Sequence, residues 1–372
     1  MISIMPATAQ PAFASSLRPL RIGFLALTDA APFIAAQELG IFAHQGLRIQ
    51  LCREVGWATI RDKILYGELD AAHALAPMLW AAQLGLGCIK LPVCTGLVLN
   101  LHGNAITLSE RLWQAGVRDQ ATLKAEALRR RGESKLTFGV VFPFSLHSLQ
   151  LRQWLEQAGL NPERDVRIAI VPPAQMARNL AAGTLDGFCS GEPWNTVSIQ
   201  QGEGWSPAWS AALTPGHVEK VLMVRTDFAE QRAAEHLTLL AALIQAAAWC
   251  DEPRHRAQLA EMLSSPLYLN VSPKVIAPAL LGHFGCGHDR FETIPDFHVF
   301  SQGDAGVPSL SRAAAIQSEL VAAGLVPRSL ATAELPGRLF REDLYRQALP
   351  TLPSPSHAPL LTKPSQDALA GA

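Results

Sequence analysis

The feature that most constrains this chain is a strand–helix alternation that occurs twice. Residues 21–27 (RIGFLAL) form an apolar run of strand length. Thr28 and Asp29 follow, both good helix N-caps. Residues 30–39 have helical composition, and Gly40 stops them. Residues 47–55 (LRIQLCREV) alternate like a strand, 57–66 read as a helix closed by Gly67, 69–74 as a short strand and 76–84 as another helix. This βαβαβα order predicts a parallel sheet with helices on its faces. A second series starts at 136–142 (LTFGVVF). It continues through a helix at 146–158 ended by Gly159, a strand at 166–171, and a helix at 173–182 with proline in its first turn and Gly183 after its last. A strand at 187–190 follows, and Glu192 opens the next turn.

Two α/β units in tandem need a connection. Residues 89–101 are apolar and β-rich, and a polar helical stretch runs on to 132. After Lys220, residues 221–225 read as a returning strand, followed by helices, notably 233–250. Those helices need a sheet to pack on, and the first unit offers it. The expected organisation is therefore a first lobe from 21–102 and 221–345, and a second lobe from 103–220. Two crossings between α/β lobes create a cleft, where small ligands bind. Residues 1–20 are expected as a flexible leader and 346–372, rich in Pro, Ser and Ala, as a disordered tail.

Composition removes several classes of function. Among 372 residues, 31 Lys and Arg face 32 Asp and Glu, a net charge of −1. No global basic field draws the chain to nucleic acid or anionic lipid. No uninterrupted apolar run reaches the ~18 residues of a membrane span. The first basic residue is Arg18, and Pro6, Gln10 and Pro11 interrupt the apolar leader, so it does not read as a secretory signal and the expected compartment is the cytoplasm. The six cysteines form no CxxC pair and read as free thiols serving as small core residues. His283, Cys286 and His288 fit no standard zinc spacing and read as a loop with incidental ligand types. Neither a metal nor a cofactor is expected. Ser-His-Asp elbows, Walker loops, GxGxxG and HExxH motifs are missing, which favours a binding protein over an enzyme.

Three segments carry a resemblance: DAAPFIAAQELGIFAHQGL, GWATIRDKILYGELDAAHALAPM and VPPAQMARNLAAGTLDGFCSGEPWN. Together they resemble the nitrate/bicarbonate-binding proteins of the NrtA type, over roughly residues 21–344. The resemblance implies the two-lobed α/β fold of class II periplasmic-binding proteins, with an interlobe cleft. Without an exported N-terminus, the chain is similar to the NasS-type cytoplasmic nitrate/nitrite sensors. Such sensors hold a NasT-type ANTAR-domain antiterminator, an RNA-binding protein, and release it when the anion binds. The alternative is the solute-binding component of an ABC importer for nitrate, nitrite or cyanate. A sulfonate binder, and an enzyme branch of the fold that makes a pyrimidine precursor, share only the first segment. That enzyme branch also carries a cysteine cluster which this chain lacks.

Nitrate is a planar monoanion that only accepts hydrogen bonds, so its site needs donors and a positive charge. Five positions match the family's ligand positions. Trp57 opens a helix and offers an indole N–H; the alternative is a core tryptophan. Asn104 falls where the chain crosses between lobes and is expected to aim its NH2 at an oxygen, with a shorter reach than the family's glutamine; otherwise it is a turn asparagine. His147 lies in the first turn of a helix, where anions are favoured, and is otherwise a lone surface histidine. Gly191, in SGEPWN, lets backbone approach the ligand or serves a turn only glycine tolerates. Lys220 is expected to neutralise the anion, unless it is a solvated surface group; bicarbonate, which has a proton to donate, would favour an acceptor there. Thr28, His73 and Glu192 are expected around this set. Glu192 should point away, cap the following helix, or pair with Lys220.

Overall fold

In the computed structural model, which describes residues 18–132 and 134–352, the first apolar run becomes β1 (Leu20–Leu25). It pairs in parallel with β2 (Ile49–Glu54) on one side and β3 (Ala71–Leu75) on the other. β1 and β3 are apolar and buried, as interior strands covered on both faces must be. β2 is the edge strand, which explains its alternating sequence. β4 (Val93–Cys94) and β5 (Val98–His102) complete the first pass. The chain then turns at Gly103, whose φ of 94° needs glycine, into the second sheet.

That sheet contains β6 (Asn104–Ser109), β7 (Thr137–Val140), β8 (Arg167–Ile170), β9 (Gly187–Gly191) and β10 (Gly204–Trp209), in the order β10-β6-β9-β7-β8. β11 (Val218–Arg225) returns to the first sheet, between β3 and β5 and antiparallel to both, so residues 218–220 belong to the first lobe and not, as expected, to the second. β12 (His283–Gly287) and β13 (Arg290–Thr293) form a hairpin, and β14 (His298–Val299) closes the first sheet beside β5. Both sheets are mixed, where the alternation alone predicted parallel ones. The strands that cross between lobes enter without a helical crossover, so they run antiparallel to their neighbours.

Three segments differ from the sequence reading. Positions 18–20 belong to the fold: Arg18 donates to both carboxylate oxygens of Asp70 at 2.7 and 2.8 Å, and Leu20 opens β1. The rest of the expected leader, 1–17, lies outside the described residues, as does the expected tail from 353 on. Residues before 353 are structured, with a helix at Glu342–Ala348 and a turn at Leu349–Thr351. The segment 283–288, read as a loop, is half of a hairpin whose two-residue turn places His288 and Asp289 at φ 52° and 56°. This hairpin leaves the first lobe and packs on the second. Phe284 and Cys286 share an apolar cluster with Ala105 and Trp209, and the His288 ring stacks on Trp113 at 3.7 Å.

The helix Ala233–Asp251 has 19 residues and a mean hydropathy of 1.3, long and apolar enough to cross a membrane by those measures. Here half of it is buried, and Leu239, Leu243, Ala246 and Cys250 join the core with Phe33 and Ile34. Its last residue, Asp251, accepts from the backbone N–H groups of Phe300, Ser301 and Gln302 and pairs with Arg256 at 2.6 Å. That carboxylate fixes the segment entering from β14.

Candidate anion-binding site

The two crossings meet at one imidazole. His102, itself at φ 62°, accepts from the Gly216 N–H through Nε2 at 2.7 Å. With Nε2 accepting, Nδ1 carries the proton and donates to the Asp296 carbonyl at 2.7 Å. The outgoing chain at 102–103 and the returning chain at 216 are thus tied together. The lobes also touch directly. The Thr28 N–H donates to the Glu192 carbonyl at 2.8 Å, and the Trp194 indole donates to Ala26 at 3.1 Å.

Behind these contacts lies a fully buried ionic cluster. Lys220 Nζ sits 2.7 Å from Asp29 Oδ2 and 2.9 Å from Glu219 Oε1. His73 Nε2 is 3.0 Å from Asp29 Oδ1. His217 Nε2 is 3.2 Å from Glu219 Oε2, and His147 Nδ1 is 3.4 Å from Glu219 Oε1. Adjacent residues of a regular strand point to opposite faces, yet Glu219 and Lys220 touch. The β11–β5 register shifts on both sides of Lys220, and this bulge re-aims the pair.

Burial alone would push the Asp29 carboxyl up, but Lys220 and His73 hold it well below the usual carboxylate range. Burial likewise opposes ionisation of Glu219, and Lys220, His147 and His217 overcome it. Burial works against the Lys220 ammonium, but Asp29 and Glu219 raise its pKa. Burial lowers His73, and lowers His147 to about 4. Lys220 thus stands between two ionised carboxylates.

The five sequence-predicted positions come together around this cluster. Trp57 opens the helix Trp57–Leu65, packs its ring 5.4 Å from His73, and has Lys220 Nζ 5.4 Å from its centroid. It is buried in an apolar cluster, so the core reading also describes it, but its indole N–H has no hydrogen-bond partner among the described residues. His147 is buried in the first turn of the helix Leu146–Gln157, capped by Ser145, so it is no surface histidine. Both of its ring nitrogens lack hydrogen-bond partners among the described residues. Gly191 lies opposite Asn104 in the β6–β9 pair, outside the positive-φ region. A Cβ there would meet Leu27 at 3.4 Å, Asn104 Oδ1 at 3.6 Å and Asp29 Oδ2 at 3.7 Å, so no turn requires this glycine. Close approach to the cluster is the reading that remains.

Two expected contacts change. Asn104 does not aim its NH2 outward; that group donates to Glu219 Oε2 at 2.7 Å and Gln150 Oε1 at 3.3 Å, because the buried carboxylate needs donors. Lys220 is buried, not solvated, and its charge is already matched twice. Glu192 does not pair with it. Its Oε2 accepts from the Thr196 N–H at 3.3 Å, inside the first turn of the helix Trp194–Gln200, and burial pushes the carboxyl up to about 7. Thr28 and His73 are buried beside Asp29. Sequence reasoning missed Asp29 by treating it as a helix cap; no side-chain cap forms there. It also missed Glu219, His217 and Gln150. The run HVEK at 217–220 was the available signal for the first two.

The arrangement therefore presents an indole N–H and an ammonium from the first lobe, and an imidazole from the second. Residues 14–264 match the family described as the NMT1-like family. The chain belongs to that family. It is 32% identical over 336 residues to the nitrate/nitrite binding protein NrtA of Nostoc sp. PCC 7120, covering 88% of this chain and 76% of the relative. It is 36% identical over 332 residues to the nitrate import ATP-binding protein NrtC of Synechocystis sp. PCC 6803, and spans about half, 49%, of that relative's length. The crystal structure of the periplasmic nitrate-binding protein NrtA from Synechocystis PCC 6803 superposes with a TM-score of 0.86 at 28% identity, covering 92% of this chain and 90% of that one. The fold is thus the two-lobed α/β periplasmic-binding-protein type.

Proposed function

We propose that this chain binds nitrate or nitrite between its lobes and acts as a cytoplasmic sensor of the anion. The observation that carries the binding reading is the convergence of the unpartnered Trp57 indole, the His147 imidazole and the Lys220 ammonium at the lobe boundary. The likeness to NrtA proteins supports the choice of ligand. The sensor reading rests on the resemblance to NasS-type proteins. All six cysteines are free thiols, which suits a reducing compartment.

In this reading the anion bridges the lobes and favours the closed form. A NasT-type antiterminator that prefers the open form is then released, which switches nitrate assimilation. The anion acts only through its differential affinity for the two forms. Moving the population from 1:99 to 99:1 needs about 10⁴-fold preference, or about 5.5 kcal/mol. The second reading, a solute-binding component of a nitrate, nitrite or cyanate importer, is favoured by the names of the relatives. Calorimetry with nitrate, nitrite, bicarbonate and an alkanesulfonate tests the ligand. Heat with the sulfonate alone overturns the binding reading. Co-purification from cells with and without nitrate tests the role: an antiterminator retained only without nitrate supports the sensor, and recovery in the envelope fraction supports the importer.

A further inference from the structure

The buried cluster has a charge imbalance that a monoanion makes worse. Lys220 is contacted by Asp29 at 2.7 Å and Glu219 at 2.9 Å, so one cation already serves two carboxylates. Nitrate would add another negative charge in a place without solvent, where the Lys220 ammonium is already matched. A buried charge of that kind is either paired or neutralised by a proton. Nitrate, the anion of a strong acid, cannot take up the proton itself.

We infer that nitrate binding is coupled to uptake of one proton from solvent, and that His147 receives it. This inference rests on the nitrate-binding reading and gives the site its basis of selection. His147 is fully buried, neither ring nitrogen makes a hydrogen bond among the described residues, and Nδ1 already lies 3.4 Å from Glu219 Oε1. As an imidazolium it carries two N–H donors, one for Glu219 and one for the anion. The groups around it are Glu219 and Lys220 on β11, His217 just before that strand, and Asp29 in the turn Thr28–Ala30; its helix packs on β9, which carries the Cys189 thiol. His73 on β3 is already committed to Asp29, and Glu192 to the first turn of the next helix. Burial keeps His147 neutral near pH 7 before the anion arrives, so the proton must come with binding. A weak-acid anion such as bicarbonate brings its own proton, which it can donate to Glu219. Such a ligand needs no uptake, so the protonation of His147 separates the two classes.

The test uses the full chain in weakly buffered amine solution, with nitrate as the probe. The acid required to hold pH constant during titration counts protons taken up per nitrate bound. Calorimetry gives Kd at pH 6, 7 and 8. Uptake close to one at pH 6, with Kd rising about tenfold per pH unit until the proton of the complex is lost, supports the coupling. Nitrate binding without uptake, and with Kd constant across that range, overturns it while leaving the binding reading intact. No nitrate binding at any pH overturns both. In His147→Gln, uptake should disappear and the remaining affinity should lose its pH dependence. Wild-type uptake in that variant overturns the assignment to His147. If the variant does not fold, the wild-type measurement still decides the coupling.

Discussion

Lys220→Met removes the buried cation while keeping an unbranched side chain of similar length. At an effective dielectric near 20, each of the 2.7 and 2.9 Å pairs is worth about 6 kcal/mol before desolvation. Desolvation offsets most of that, and removing one partner of a buried pair leaves a net loss of about 3–5 kcal/mol. The pH dependence should change sign. In the wild type, Asp29 and Glu219 have folded-state pKa values below their unfolded ones, so their stabilisation is present above about pH 4–5 and is lost as pH falls below it. Without Lys220, burial raises both carboxyls, and stability should recover as pH falls from 7 to 5. Urea unfolding at pH 7 and pH 5, followed by tryptophan fluorescence, measures this. Adding Asp29→Asn and Glu219→Gln to Lys220→Met should restore most of the stability but no nitrate binding, which separates folding from recognition. A Lys220→Met protein within about 1 kcal/mol of wild type at pH 7, with an unchanged pH slope, would refute the reasoning.

Gly191→Ala should leave stability within about 1 kcal/mol, since its Cβ finds only ordinary contacts, yet weaken nitrate binding tenfold or more by keeping the anion from the backbone there; calorimetry and urea unfolding check the pair. Glu192 has a folded pKa raised to about 7, so its favourable contribution is present below its unfolded pKa and lost as pH rises through the folded one. Glu192→Gln should match wild type at pH 5 and exceed its stability at pH 8 by about 3 kcal/mol, and equal stabilities at pH 8 would contradict this. Asp251→Ala leaves Arg256 buried without its carboxylate and should cost about 3–5 kcal/mol in the same unfolding assay. His288→Ala removes the stack on Trp113 and the 3.0 Å contact with Glu110, so amide exchange should quicken in β12 and β13 and stay unchanged in β1.

Much of the fold was legible because its signals are local. The run RIGFLAL, the helix opening at Trp57 and the glycines after each helix mark β1, the helix Trp57–Leu65 and their ends within a few residues. The five site positions were legible only as a set, through the likeness of three segments to a family. Asp29 and Glu219 were not, because a carboxylate's partner can lie almost 200 residues away, as Lys220 does from Asp29. The bulge that puts Glu219 and Lys220 side by side depends on pairing with β5, which strand periodicity does not reveal. The hairpin at 283–293 has an unremarkable composition. Its place is fixed by packing Phe284 and Cys286 on the paired Ala105 and Trp209 of the other lobe.

The central claim is that both lobes close on one small anion through N–H donors and a cation. A crystal structure of the chain grown with nitrate tests it most directly. The expected density is a planar anion contacted by the Trp57 indole, His147 and Lys220, with Gly191 alongside. Nitrate bound elsewhere, or His147 still without a contact in a nitrate-loaded crystal, would contradict the account.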